Sequence, residues 1–171
     1  MSSKSYDFVV VGAGIVGLTI ARALALGRKG RVCLIEKEKK LGVHSSGRNS
    51  GVLHAGIYYL PGTLKAKVCV SGAKRLFEYA KERGIPVKKT GKVIVSTDPR
   101  NVSQIDVLYD RARANGVRAE VIDPKQLRQI EPEAHTFGKA LYSPDTAVID
   151  SKKVLEKMEE EILGLGIHLD K

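Results

Sequence analysis

The run Gly12-Ala13-Gly14-Ile15-Val16-Gly17, with Glu36 standing 19 residues beyond the last glycine, has the residue types to hold the phosphates and one ribose of a dinucleotide. Gly12 permits a tight turn out of a strand, Gly14 lets the backbone approach a pyrophosphate, and Gly17 lets the following helix pack closely on that strand. A carboxylate at this distance accepts a hydrogen bond from a free ribose 2′-OH and repels a 2′-phosphate, which disfavours NADP. Three glycines alone are a weak signal. Here the apolar run Phe8 to Val11 precedes them and a helical pattern through Leu18, Ala21, Ala23, Leu24 and Ala25 follows, which is the context such a cradle requires. These residues leave NAD and FAD both open.

A second stretch could also meet an anion. In residues 44–51 the small residues Ser45, Ser46, Gly47, Ser50 and Gly51 let backbone N–H groups come close to a ligand, while Arg48 and Asn49 add donors. His44 opens this loop, and His54, Tyr58 and Tyr59 follow it. His135 and His168 have no partner signal and receive no role.

The elements that must carry these residues can be read from periodicity and punctuation. Tyr6–Val11 and Arg31–Glu36 are the first two strands, joined by a helix, and 37–51 is a loop rich in Ser, Gly and Asn followed by a short apolar piece, Val52 to Tyr59. Thr63 is placed to cap a helix through Leu64, Val68, Ala73, Leu76, Phe77 and Ala80 that ends at Gly84 and Pro86. Lys92–Thr97 reads as a strand, and Asp98-Pro99 begins a helix through Ile105, Leu108 and Ala112 to Gly116. Glu120–Ile122 is a short strand, Asp123-Pro124 opens a short helix to about Ile130, and Ala140–Tyr142 and Ala147–Ile149 are strand-like. Asp150 or Ser151 caps a last helix to Gly164, and 166–169 begins another strand, which in an α/β sheet normally has further parallel neighbours.

Bulk properties narrow the classes. A chain of 171 residues, 43% hydrophobic, suits one globular domain or slightly more. No apolar stretch nears the roughly 20 residues needed to span a bilayer, so an integral membrane protein is not expected. The first residues lack a secretory apolar region and cleavage site, which leads to an expected cytoplasmic location. Cys33 in the second strand and Cys69 on a helix have no ligand-like spacing; both are read as buried thiols, and no metal site is expected. The net charge of +10 raises nucleic acid or an anionic membrane surface, but glutamates interleave the basic residues, as in Lys37-Glu38-Lys39-Lys40. No RNP-type aromatic signature, KH-type loop or zinc-finger pattern is present, so nucleic acid is not expected as a partner.

The segment 44–67, from His44-Ser-Ser-Gly-Arg-Asn-Ser-Gly-Val-Leu-His-Ala-Gly-Ile-Tyr-Tyr to Lys67, is far more specific than the glycines. Together with the Gly12 to Glu36 unit, with 88–97 (Lys-Lys-Thr-Gly-Lys-Val-Ile-Val-Ser-Thr), Ile130-Glu-Pro-Glu and 140–150, it resembles the glycine oxidase and D-amino-acid oxidase superfamily of FAD-dependent oxidoreductases. Within that superfamily it is most similar to the L-2-hydroxyglutarate oxidases and dehydrogenases. The resemblance spans nearly the whole chain and implies FAD as cofactor. It also implies an α/β fold in which a Rossmann-like FAD-binding βαβ unit is joined to the beginning of an α+β substrate domain, incomplete at the C-terminus. Residues 1–84 would then be the N-terminal part of the FAD-binding domain, 85–150 part of the substrate or cap domain, and 151–171 a helix and strand returning to the FAD domain.

The resemblance further implies an oxidoreductase acting on a small 2-hydroxy acid, with hydride transfer to flavin N5. Amine, amino-acid or glycerol 3-phosphate oxidation and a non-catalytic nucleotide-binding subunit are the alternatives. Gly12 to Gly17, Glu36, Lys37 and the whole of 44–51 are the implied cofactor contacts. His44 occupies a place where some relatives attach FAD through histidine, although a non-covalent role is expected here. His54, implied to lie near the flavin ring, could accept the hydroxyl proton, donate a hydrogen bond to the flavin, or be structural. A separate C-terminal half, a peripheral membrane contact and a quinone or oxygen acceptor stay open.

Overall fold

Two β-branched or aromatic strands linked by a helix begin the chain: β1 (Phe8–Val11), α1 (Ile15–Leu26) and β2 (Val32–Ile35). There follow β3 (Val52–Leu53), α2 (Leu64–Glu82), β4 (Val87–Lys89), β5 (Lys92–Val95), a single 3₁₀ turn at Pro99–Asn101 and α3 (Ser103–Ala114). The remainder is β6 (Glu120–Ile122), α4 (Pro124–Ile130), β7 (Ala140–Ser143), β8 (Ala147–Ile149), α5 (Ser151–Gly164) and β9 (His168–Asp170). These come from a computed structural model that describes residues 5–171.

The first of two units comprises the chain up to Gly51 together with Asp150–Lys171. Its sheet is parallel, in the order β1-β2-β9, with Phe8 opposite Val32, Val11 opposite Ile35, and Cys33 opposite His168. Val32, Cys33 and Leu34 of the central strand are all buried, as a parallel strand covered on both faces demands. Leu18 and Ala21 of α1 and Val154, Leu155, Met158 and Ile162 of α5 supply the buried apolar side chains from the helices. The ion pair between Arg22 and Glu161 ties those two helices at their rim. β1 is paired on one side only, and Val11 on it is 82% exposed.

The second unit, Val52–Ile149, holds two antiparallel three-stranded sheets, β3-β8-β4 and β5-β7-β6. Leu141 of β7 packs with Ile57, Ile105, Ala112 and Val117, and Ala140 packs with Ile122 and Leu127. Helix starts follow the expected chemistry. Thr63 accepts from the Ala66 N–H at 3.2 Å, Asp150 from Lys153 at 2.9 Å, and Asp123 forms a reciprocal capping box with Gln126. Asp98 does cap, but it starts the 3₁₀ turn, and the regular helix begins only at Ser103.

β4 lacks a strand signal in the sequence because Val87-Lys88-Lys89 follows a proline and carries one apolar residue; it forms as an edge strand, through pairing with β8. Grouped by contact, the chain divides after Gly51 and before Asp150. β3 is hydrogen-bonded to β8 and α2 packs on β4, so both go with the second unit.

Burial separates the two strands of the first sheet in a measurable way. Leu34→Ala, which removes a fully buried side chain from the central strand, is expected to cost about 2–5 kcal/mol in urea denaturation. Val11→Ala on the exposed edge should change stability by no more than about 0.5 kcal/mol.

Candidate functional site

The glycine loop takes the form its residues require. Gly12 has φ +96°, and its N–H donates to the Ile35 carbonyl at 2.7 Å, so the chain turns directly off the sheet. A Cβ on Gly17 would lie 1.9 Å from the Gly12 carbonyl oxygen, an approach no other residue tolerates. α1 starts at Gly14 without a side-chain cap, leaving its first N–H groups for other acceptors.

Two acceptors reach this end of the helix. The Glu36 carboxylate, leaving β2, accepts from the Ala13 N–H at 2.8 Å and from the Glu38 N–H at 3.0 Å. The Ser46 hydroxyl accepts from the Ile15 N–H at 3.1 Å. Burial acts to raise the Glu36 pKa, but the N–H groups of Glu38, Ala13 and Lys37 and the charge of His44 outweigh it, so the net shift is downward. A helix N-terminus favours the same ionised form.

Residues 42–47 repeat the device. Gly42 has φ +73°, and a Cβ on Gly47 would lie 2.1 Å from the Gly42 carbonyl oxygen. The spacing Gly42-x-x-x-x-Gly47 copies Gly12-x-x-x-x-Gly17 and was the sequence signal for Gly42, which had not been picked out. Gly47 and Arg48 N–H groups both donate to the His44 carbonyl, closing one helical turn, and the Asn49 amide donates to the carbonyls of Ser45 and Ser46. Asn49 thereby braces its own loop, and its side-chain oxygen accepts from Gly51.

Of the expected cofactor residues, Gly12, Gly14, Glu36, Lys37, His44 and Ser46 line one cavity of about 400 Å³. That is within the range of small-molecule sites. Ala13 and Ile15 take part through their N–H groups, and Gly17 through its closeness to Gly12. Val16 is 67% exposed on α1 and, like Ser45, Arg48, Asn49, Ser50 and Gly51, does not line the cavity. Lys40 and Val43, not foreseen, do. An uncapped helix start, two glycine turns and an ionised carboxylate beside them fit the ADP end of a dinucleotide such as FAD. His44 Nε2 lies 3.0 Å from a Glu38 carboxylate oxygen, which gives the imidazole a partner of its own.

His54 belongs to the second unit, just after β3, and is exposed. The partial burial of its ring, and secondarily the charge of Lys92, lower its pKa. Cys69 is half-exposed on α2, not the buried thiol expected, and its Sγ donates to the His54 carbonyl at 3.3 Å. Cys33 is buried as expected. Segment 56–59 is pinned by α3 and the residue after it: Arg111 donates to the Tyr58 carbonyl, and the Asn115 amide donates to the carbonyls of Gly56 and Tyr59.

Comparison with known proteins agrees with this geometry. A family model described as FAD dependent oxidoreductase matches residues 7–169. The chain is 48% identical over 163 residues to a protein of Caenorhabditis elegans named L-2-hydroxyglutarate dehydrogenase, mitochondrial, covering 94% of this chain and 37% of that protein. The human protein of the same name is 42% identical over 167 residues, covering 96% and 36%. Among solved structures, the FAD-bound L-α-glycerophosphate oxidase of Mycoplasma pneumoniae superposes with a TM-score of 0.88 at 25% identity, over 98% of this chain and 44% of that one. The glycine oxidase of Geobacillus kaustophilus gives 0.79 at 22% identity over 97% and 46%, a likeness of fold. The chain thus spans less than half the length of these relatives.

The relatives' names carry one correction. They are mitochondrial, which overturns the expected cytoplasmic location. Absence of a secretory apolar region does not bear on mitochondrial import, whose leaders are amphipathic and arginine-rich.

Glu36 supplies the test of this site. Glu36→Gln should weaken FAD binding about tenfold or more in a flavin-fluorescence titration, the loss of a charge-assisted acceptor. Its folded pKa lies below the ordinary 4.5, so its contribution to stability is complete above that value and disappears as pH falls through the folded one. The difference in urea midpoint between Glu36→Gln and the parent should therefore be full at neutral pH and shrink as pH falls below 4.5.

Proposed function

The chain belongs to the FAD dependent oxidoreductase family, and on that premise we propose that it supplies the N-terminal part of an enzyme that oxidises L-2-hydroxyglutarate to 2-oxoglutarate. The observation that carries this reading is the sequence likeness, across nearly the whole chain, to dehydrogenases named for that substrate. FAD, when bound, supplies a two-electron acceptor for the α-hydrogen of the hydroxy acid.

The chain's own residues have separable tasks in this scheme. Gly12 and Gly14 would bring backbone close to the pyrophosphate at the N-terminus of α1, and Glu36 would accept from the ribose hydroxyls. Lys37, His44 and Ser46 complete the wall on the cofactor side. His54 accepts the proton of the substrate hydroxyl as the α-hydrogen departs with its electron pair. A lowered pKa suits that task, since only the neutral imidazole can take a proton.

The likeness to an L-α-glycerophosphate oxidase favours glycerol 3-phosphate as a second reading. Anaerobic bleaching of the flavin in the complete holoenzyme separates the two: L-2-hydroxyglutarate should bleach it, and bleaching by glycerol 3-phosphate alone would replace the first reading with the second. His54→Gln should slow single-turnover flavin reduction by about 10² or more, and near-normal reduction would remove His54 as the base. In the parent enzyme the midpoint of the fall in reduction rate with acid should lie below pH 6.5.

A further inference from the structure

Residues 54–59 lie between β3 and α2 in neither strand nor helix, so no regular ladder holds their backbone. Side chains hold it instead. The carbonyls of His54, Gly56, Tyr58 and Tyr59 each accept from one: Cys69 Sγ at 3.3 Å, Asn115 Nδ2 at 3.0 Å, Arg111 Nη1 at 3.2 Å and Asn115 Nδ2 again at 2.9 Å. Between these anchors Ala55 and Ile57 are buried in one cluster with Ile105, Ala112, Val117 and Leu141, while His54 and Tyr58 are exposed. The segment thus plugs its apolar residues into the core and presents the imidazole and the phenol outward.

Asn115 supplies two of these four bonds. A primary amide carries two N–H groups on one nitrogen, and here they reach carbonyls three residues apart, which fixes the width of the 56–59 turn. The place of Asn115 is set in turn by how α3 stops. Gly116, at φ +71°, donates to the Arg113 carbonyl at 3.0 Å and Val117 to the Ala112 carbonyl at 2.8 Å, the paired bonds of a Schellman turn, and Val117 is buried beyond it. Gly56, at φ +101°, lets the chain pass Val70 of α2, whose Cγ2 a Cβ there would meet at 2.7 Å. Gripped from both α2 and the end of α3, the segment has little freedom to shift His54.

We infer that Asn115 is a positioning residue: by holding the carbonyls of Gly56 and Tyr59 it fixes the orientation in which this segment presents His54 and Tyr58 to the substrate. This rests on the reading of His54 as the base and adds to it a residue that acts only through the backbone. Without the amide, two carbonyls lose their donors and the peptides that follow His54 are released, so the imidazole drifts from its place. A proton acceptor displaced by about 1 Å loses much of its effect on rate.

Two measurements on the complete, FAD-loaded protein test this in Asn115→Ala and in Asn115→Asp, which keeps the shape of the side chain and removes both donors. The first is the titration of the His54 ring, followed by NMR and assigned with His54→Gln. In both variants its midpoint should rise from below 6.5 toward that value as the ring gains solvent. The second is anaerobic flavin reduction by saturating L-2-hydroxyglutarate, which should slow about tenfold or more. Ile122→Val, in the other core cluster of the unit, should lower the melting temperature and leave both readings at the parent's values. A parent-like titration and limiting rate in both Asn115 variants would overturn the role of Asn115. A shifted titration together with near-normal reduction in His54→Gln would uphold that role and remove His54 as the base. An unreduced parent flavin would overturn the hydroxy-acid reading, and the titration alone would then decide the role of Asn115.

Discussion

Two backbone contacts, each made possible by a missing side chain, set the geometry of the first unit. Gly17 lies against the Gly12 carbonyl and Gly47 against the Gly42 carbonyl, both closer than any Cβ would allow. The first contact seats α1 on β1; the second folds the 42–47 turn tightly enough for Ser46 to reach the Ile15 N–H. If either contact opened by the width of a methyl group, the helix start and the second loop would separate and the cavity between them would lose a wall. The common overpacking cost of about 1–3 kcal/mol understates such a change, because backbone, unlike a side chain, has no rotamer to retreat into.

Electrostatics then builds on that frame. Glu36 stands where the partial positive charge of α1 and two N–H donors favour its ionised form. In the second unit partial burial of the ring and the charge of Lys92 bias His54 toward its neutral form.

Legibility in the sequence followed the range of the forces involved. Caps at Thr63, Asp123 and Asp150 depend on residues three positions away, and each was readable as such. The βαβ start was equally clear, because glycine spacing and apolar runs lie within a few turns of one another. β4 was not, since its strand character comes from pairing with β8 about 60 residues later and not from its own Val-Lys-Lys composition. Gly42 had a visible signal in its five-residue spacing to Gly47, but a repeat of two glycines acquires meaning only when a carbonyl is seen against an α-carbon.

The pairing of β3 with β8 has a consequence for how the molecule assembles. Val52 faces Val148, so the two ends of the second unit are held about 5 Å apart by an antiparallel ladder. The first unit is discontinuous, and bringing α5 and β9 back to β2 across an unfolded segment of roughly 100 residues would carry a closure entropy of about 4 kcal/mol. Once the second unit has folded, that closure has already occurred within it, and the return of α5 becomes as local as the turn of a hairpin. A preformed second unit would thus leave α5 and β9 only a short loop to close.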